Sequence, residues 1–257
     1  MGIHKSAVVS SKAEIGSGIE IGPYCIIGDN VTIGDNTVIG AHVVIDGNTQ
    51  IGERNTISPF ASIGGPPQDI GYQGEDTRVI IGNDNVIREY VTINRATTKQ
   101  ERKTIIGDFN YIMAYAHIAH DCVLGNRIIM SNVATLAGHI TIGDHAVLGG
   151  LVAVHQFVRI GAYAFLGGKS AVVKDIPPFM LTAGPTAKLY GINRKGLSRM
   201  GFSQETIDGL KKAYRIIWRE NKRQSKALEQ VRKEVKPSPE LELLLDFFKC
   251  SKRGILR

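Results

Sequence analysis

The stretch IGDFNYIMAYAHIAHDCVLGNRIIMSNVATLAGHITIGDHAVLGGLVAVHQFVRIGAYAFLGGKSAV, residues 106–172, decides the fold. Stepping by six from Ile106 gives Ile112, Ile118, Leu124, Met130, Leu136, Ile142, Leu148, Val154, Ile160, Leu166 and Val172, all large and aliphatic. A six-residue period fits neither an amphipathic helix nor the strict alternation of a half-buried strand. It marks short strands joined by corners, with three hexads closing one triangular coil of 18 residues. A single coil cannot bury its own apolar face. Coils stacked at about 4.8 Å per strand build a continuous core. The chain is therefore predicted to be an all-β parallel β-helix.

Earlier in the chain the same period runs from Ile3 through Val9, Ile15, Ile21, Ile27, Ile33, Ile39, Ile45, Ile51 and Ile57 to Ile63. The fourth residue after each aliphatic one is mostly small or β-branched, as at Cys25, Val31, Thr37, Val43 and Thr49, and is predicted to point inward as well. Gly follows the aliphatic residue at 16, 22, 28, 34, 40, 52 and 64, where it is expected to supply the backbone freedom of a tight corner. The pattern resembles the hexapeptide-repeat family. That resemblance, not the period, implies left-handed coils, against the usual crossover rule.

The period breaks twice. Residues 64–75 are rich in turn formers, and phase returns at Ile81, Ile87 and Ile93, so one coil's worth of chain is expected to form an excursion near 64–80. A second break, 95–104, carries Lys99, Arg102 and Lys103. Loops thrown out of a rigid scaffold often carry binding groups. Beyond Val172 the chain is expected to leave the solenoid through Pro177-Pro178 and Gly184-Pro185. Ser203 then caps a predicted helix with Glu205 in its first turn, and apolar spacing marks further helices around Ala227–Val235 and Leu241–Phe248. Residues 1–191 are read as the β-helix domain and 192–257 as a small C-terminal α-helical domain that hides the open strand edges.

Three scattered cysteines, Cys25, Cys122 and Cys250, argue against a disulfide framework and for a reducing, cytoplasmic setting. No apolar run approaches the ~20 residues of a membrane span, so no stable membrane insertion is expected. Gly2 and Ser6 match a myristoylation pattern, but Ile3 and Val9 already lie on the hexad phase, so the segment is read as the first coil. Charge is divided unevenly. Residues 1–191 hold 14 Lys/Arg against 16 Asp/Glu, and residues 192–257 hold 17 against 8, so the net +7 comes from the tail. A basic tail suits nucleic acid, an anionic membrane, a phosphorylated substrate or an acidic protein.

The 18-residue coil turns spacing into geometry, because residues i and i+18 stack. His120 lies under Gly138 and Gly138 under Gln156, while Asp121, His139 and Phe157 form the next column. His117, His120, Gly138, His139, His155 and Gln156 share one outward edge, and His145 falls on the following face. Three chemistries fit such an edge. A neutral imidazole can act as general base, its tautomer held by Asp121 or a carbonyl, with the Gly138 N–H opposite a developing oxyanion. Three imidazoles and a water can hold zinc, as in solenoids of the γ-carbonic-anhydrase kind. A structural hydrogen-bond ladder between subunits is the third.

The segments Ala116-His117-Ile118-Ala119-His120-Asp121-Cys122, Leu136-Ala137-Gly138-His139, Ala153-Val154-His155-Gln156-Phe157, Pro67-Gln68-Asp69 and Arg199-Met200-Gly201-Phe202-Ser203 narrow the choice. Together they resemble the UDP-N-acetylglucosamine O-acyltransferases of lipid A synthesis, over essentially the whole chain. The resemblance implies transfer of an (R)-3-hydroxyacyl group from acyl carrier protein to the 3-position of the UDP-sugar. It implies His120 as base, with Asp121 beside it, and Gly138 as oxyanion donor. His117, His139, His155 and Gln156 match substrate contacts, and Asp69 lies on the nucleotide-sugar loop. Gly168 lines the acyl pocket, and Asn193 and Arg199 lie near the uridine and phosphates. It further implies a homotrimer with no metal, no cofactor and no nucleic-acid partner.

Departures fall at the acceptor side. Gly71 stands where many relatives carry Lys, Lys195 replaces a common acidic residue, and Met200 replaces a second Arg. They raise the 3-amino-3-deoxy sugar as an alternative acceptor, giving an amide, with Lys99, Arg102 or Lys103 as compensating cations for the ordinary one. An N-acyltransferase of the same pathway, a γ-carbonic-anhydrase-like zinc enzyme and a non-catalytic scaffold are the remaining readings.

Overall fold

The computed structural model describes residues 2–257. Among these, short strands stack into three sheets of nine, eight and ten strands, every pairing parallel except the final hairpin. The chain visits the faces in rotation as a left-handed parallel β-helix. The first face carries Val9, Ile27, Ile45 and their successors to Val172, the second Ile15 to Ile160, and the third Ile21 to Leu166. Ile3 bridges to Ile21, which places the N-terminal segment in the first coil.

Both predicted inward positions are buried. Ile27, Ile45, Ile63 and Ile93 are nearly inaccessible, and so are Cys25, Val43, Thr37 and Thr49 between them. Each fully buried Ile contributes about 1.5–3 kcal/mol relative to an exposed one. One inward column is polar and pairs with itself. The backbone and side-chain amides of Asn85 donate to Asn55 Oδ1 at 2.9 and 3.0 Å. Asn110 repeats this on Asn85 Oδ1, and the Ile128 N–H closes the ladder on Asn110 Oδ1 at 2.8 Å.

The glycines do a different job from the one expected. Gly22, Gly34 and Gly40 have ordinary φ, and the left-handed corners fall two residues later, on Tyr24, Asn36 and His42. What these glycines supply is room: a Cβ at Gly22 or Gly34 would sit 2.8 or 2.7 Å from the backbone of the next coil. Close approach explains the motif at these positions, and the expected backbone freedom is used only at Gly64, whose φ is +80°.

The excursions are also resolved differently. Ile51 pairs directly with Ile81, 30 residues apart instead of 18, so the first break is an insertion into a single corner and not a distorted coil. Residues 66–77 form it, between the strands Ser62–Gly65 and Arg78–Ile81. The second insertion lies between Thr92–Asn94 and Lys103–Ile106. Both occur at the corner from the first face to the second.

Residues 173–192 do not leave the solenoid as expected. Ile176 still bridges to Ile160, and Met180–Ala183 continues the third face before Lys188–Ile192 folds back antiparallel. The prolines had hidden a hairpin without hexad period. Four helices follow: α1 (Arg194–Arg199), α2 (Gln204–Trp218), α3 (Gln224–Glu234) and α4 (Pro239–Phe247). Ser203 caps α2 by accepting from the Thr206 N–H, as read from sequence; α1, one and a half turns long, was too short to show. Their apolar residues, among them Leu197, Leu210, Ala213, Val231 and Leu244, belong to one core continuous with the β-helix. Cys25 and Cys122 are free and buried, and the side chain of Cys250 lies outside the described residues. Among the described residues no helix is long and apolar enough to cross a membrane.

Candidate active site

The corner between the first and second faces forms one edge of the prism, and the histidines gather there. His117 opens the two-residue first-face strand that Ile118 ends, and His120 follows at the corner. One coil higher, Gly138 packs against the His120 ring so closely that a Cβ there would lie 2.4 Å from Cε1 and 2.7 Å from Nε2. The stacking inferred from the 18-residue period is thus a direct contact. Gly138 has no left-handed φ, so its lack of a side chain serves the imidazole and not the turn. Among the described residues nothing accepts from the Gly138 N–H.

His120 Nδ1 lies 2.8 Å from Asp121 Oδ2. A carboxylate only accepts, so Nδ1 carries the proton and Nε2 presents a lone pair. The same Oδ2 accepts from the Thr97 N–H at 2.9 Å and its hydroxyl at 2.7 Å. Thr97 lies on the second insertion, which folds back over the edge. It escaped sequence reading because nothing local marks a hydrogen bond across 24 residues. The insertion also changes the exposure of the cluster. The histidines were expected to face water in a lone chain, yet Asp121 is only 2 % exposed and His139 7 %. His155 and Gln156, above the insertions, remain open.

The corner column is left-handed at Asp121, His139 and Phe157 (φ 61°, 64° and 66°), and the His139 ring stacks on Phe157 at 4.5 Å. His117 Nδ1 pairs with Thr92 Oγ1 at 2.7 Å. Below, the two insertions meet: Lys99 Nζ is bonded to Asp69 Oδ2, and Asp69 Oδ1 accepts from the Gly71 N–H at 2.8 Å. Lys99 therefore brings a cation to the loop where Gly71 has none.

Electrostatics follow the packing. Burial would raise Asp121, but hydrogen bonds from His120 and Thr97 outweigh it and hold the carboxyl below its ordinary range. The hydrogen bond from Lys99, then that from Gly71, lowers Asp69. Burial lowers His117, helped by the neighbouring His120, and burial lowers His139 although Asp121 opposes it. A histidine lowered in the folded state leaves the unfolded chain with more bound protons below about pH 6.5, so stability falls on acidification through that value towards the folded pKa. The stabilisation from Asp121 persists there and is lost only at lower pH, as pH falls through its depressed pKa. The melting temperature is therefore expected to drop between about pH 7 and 5.5. His139→Phe, which keeps the stack on Phe157, is expected to flatten that slope; an unchanged slope would overturn the assignment.

The nitrogens of His120 and His139 and an Asp121 oxygen lie within 4.8 Å of one another, the spacing of a metal site. Asp121 Oδ2 already accepts three hydrogen bonds, while the buried Asp121 Oδ1 and His139 Nδ1 have no partner among the described residues. The set fits a hydrogen-bonded acid–base pair better than a coordination sphere.

Other predicted site residues lie elsewhere on the chain. Gly168 stands exposed at the corner from the third face to the first, one coil above Gly150, whose carbonyl oxygen would lie 3.1 Å from a Cβ at Gly168. Asn193 bonds to Tyr163 O and Phe179 O at the corner from the second face to the third, and Arg199 ends α1 beyond it. His145 stacks on Tyr163 at that same corner, apart from the cluster as expected. One chain therefore spreads the candidate residues over three edges.

Comparison with known proteins was made against this geometry. A family described as UDP N-acetylglucosamine O-acyltransferase, domain 2, matches residues 175–256, and the bacterial transferase hexapeptide family matches residues 30–65. The chain is 58% identical over 255 residues to the acyl-[acyl-carrier-protein]–UDP-N-acetylglucosamine O-acyltransferase of Thermodesulfovibrio yellowstonii, covering 99% of each chain. It is 52% identical to the Syntrophobacter fumaroxidans protein of the same name, covering 100% of both. The crystal structure of a UDP-N-acetylglucosamine acyltransferase from Bacteroides fragilis superimposes with a TM-score of 0.98 at 42% identity, again over 100% of both chains.

Proposed function

The chain belongs to the acyl-[acyl-carrier-protein]–UDP-N-acetylglucosamine O-acyltransferase family, and we propose that it acts at the first step of lipid A synthesis, in the cytoplasm, through His120 as general base. It is an acyltransferase from acyl carrier protein to UDP-N-acetylglucosamine, and in our reading the group is an (R)-3-hydroxyacyl delivered to the sugar's 3-position. The observation that carries the mechanism is the seat of His120. Asp121 holds Nδ1, and Nε2 faces the side-chain-free Gly138.

In the reaction, Nε2 takes the proton of the sugar 3-hydroxyl as that oxygen attacks the thioester carbonyl. The negative charge that develops on the carbonyl oxygen is met by the Gly138 N–H. Collapse forms the ester and breaks the C–S bond, and the carrier's thiolate takes the proton back from His120. Asp121 stabilises the transient imidazolium. No protein nucleophile is required: burial pushes the Cys122 thiol up to about 12. The step uses neither metal nor cofactor.

Between His120 and Gly168 lies the first face, whose outward residues Thr135, Ala153 and Ala171 are small. They leave a smooth floor for an acyl chain running towards Gly168. The exposed basic residues Lys211 and Arg215 on α2 and Arg219 at its C-cap suit an acidic carrier protein. Asn193 and Arg199 reach a His120 edge only if a second copy brings its own corner against it. A closed homotrimer would do this at three equivalent clefts. The stacked rings of Tyr24, His42, Phe60, Tyr90 and Tyr115, continued by Val133 and Leu151, form an exposed apolar edge suited to cover by such a copy.

Lys99 answers the charge lost at Gly71, which favours the ordinary 3-hydroxyl acceptor over the 3-amino sugar. Rates on the two acceptors with one acyl donor test this. Faster ester formation on UDP-N-acetylglucosamine is expected, and a strong preference for the amine would overturn it.

A further inference from the structure

The C-terminal tail returns to the histidine edge. Its anchor is Asp175, fully buried beside Arg159 on the second face, where its Oδ1 accepts from the Arg159 N–H at 2.9 Å. The Asp175 N–H donates to Gly254 O, its carbonyl accepts from the Leu256 N–H, and its Oδ2 accepts from the Ser251 hydroxyl at 2.7 Å. The Trp218 indole N–H donates to Leu256 O at 3.1 Å and ties the tail to α2. Held this way, Arg253 reaches down one coil. Its Nη2 lies 3.2 Å from His155 Nδ1 and 3.4 Å from Val173 O.

His155 Nδ1 therefore has two possible partners that exclude each other. The carbonyl of Gln156, 3.1 Å away, needs a proton on Nδ1. A guanidinium only donates and does not deprotonate, so Arg253 needs a lone pair there. We propose that Arg253 is a positioning residue of the transfer site: it fixes His155 in the tautomer whose proton is on Nε2, so that His155 donates a hydrogen bond to a carbonyl or phosphate oxygen of the substrate. This rests on reading the histidine edge as the transferase site. The edge then carries two opposite imidazoles. Asp121 makes His120 an acceptor at Nε2, and Arg253 makes His155 a donor at Nε2, one coil above Gly138.

The test uses the full-length protein. In a long-range nitrogen–proton NMR spectrum of histidine-labelled wild type, His155 is expected as the Nε2–H tautomer; a proton on Nδ1 would overturn the proposal without any variant. Arg253→Met is expected to shift His155 towards the Nδ1–H form and to lower kcat/KM about tenfold, the scale of one charge-assisted hydrogen bond. Arg253→Lys should restore most of it. In a His155→Ala background Arg253→Met should cost nothing further, whereas additive losses would show that Arg253 only anchors the tail. Emission from Trp218, the sole tryptophan, reports tail docking in each variant. The substrate whose KM moves, carrier donor or UDP-sugar, identifies the oxygen that His155 meets. Absence of acyl transfer in wild type would instead remove the functional reading, and the tautomer measurement would still decide what Arg253 does to His155.

Discussion

His120→Ala is expected to leave a folded protein whose acyl transfer falls about 10²–10⁴-fold, the contribution of a positioned general base. The fold should persist because the ring is not part of the apolar core. It stands outward at a corner, bonded to Asp121 and packed on Gly138. Without it, Asp121 Oδ2 still accepts from the N–H and hydroxyl of Thr97, so no buried carboxylate is stranded. The sugar hydroxyl, by contrast, loses the only imidazole here whose Nδ1 is held by a carboxylate. Steady-state transfer with a thermal melt on the same sample measures both halves. Retention of most activity would refute the role of His120, whatever the melt shows.

Gly138→Ala should be nearly as damaging through a single methyl group. The new Cβ would overlap Cε1 and Nε2 of His120, and the ring, as the free end of a side chain, is what must move. Gly138 has no left-handed φ, so alanine fits its backbone and the coil should stay intact. The expected result is a stable protein with a swung-out base and about a 10²-fold lower kcat, since displacements near 1 Å at a reacting centre cost that much. Placed in a His120→Ala background, the same substitution should cost little more. Full activity of Gly138→Ala would mean that the catalytic base lies elsewhere.

The central part of this site was legible from sequence because the hexad period is also a ruler. Adding 18 to His120 reaches Gly138, and the structure puts the two in contact. The same ruler failed where chain is inserted. It registered the first excursion as a whole coil, although Ile51 pairs with Ile81 and only one corner is extended. Thr97 and Lys99 lie on such an insertion, whose path depends on packing against Asp121 and Asp69 and leaves no periodic trace. Arg253 meets His155 across 98 residues, through a tail anchored on a buried Asp175 that no repeat announces. Apart from Gly64, the glycines were found for the wrong reason: spacing marks where a side chain is missing, but only coordinates show that the next coil fills the place.

What one chain lacks is equally informative. His120 stands on the edge between the first and second faces, and Asn193 and Arg199 stand beyond the edge between the second and third. If transfer takes place in a cleft closed by another copy, no single chain holds a complete site. Mixing chains that carry His120→Ala with chains that carry Arg199→Ala, after dissociation and reassembly, tests this directly. Each variant alone should be inactive or severely impaired. Random assortment into closed trimers should restore about a quarter of wild-type activity, from clefts that pair an intact His120 with an intact Arg199 of the neighbour. Mixed trimers that form but stay as inactive as their parents would contradict a site built across two copies of this chain.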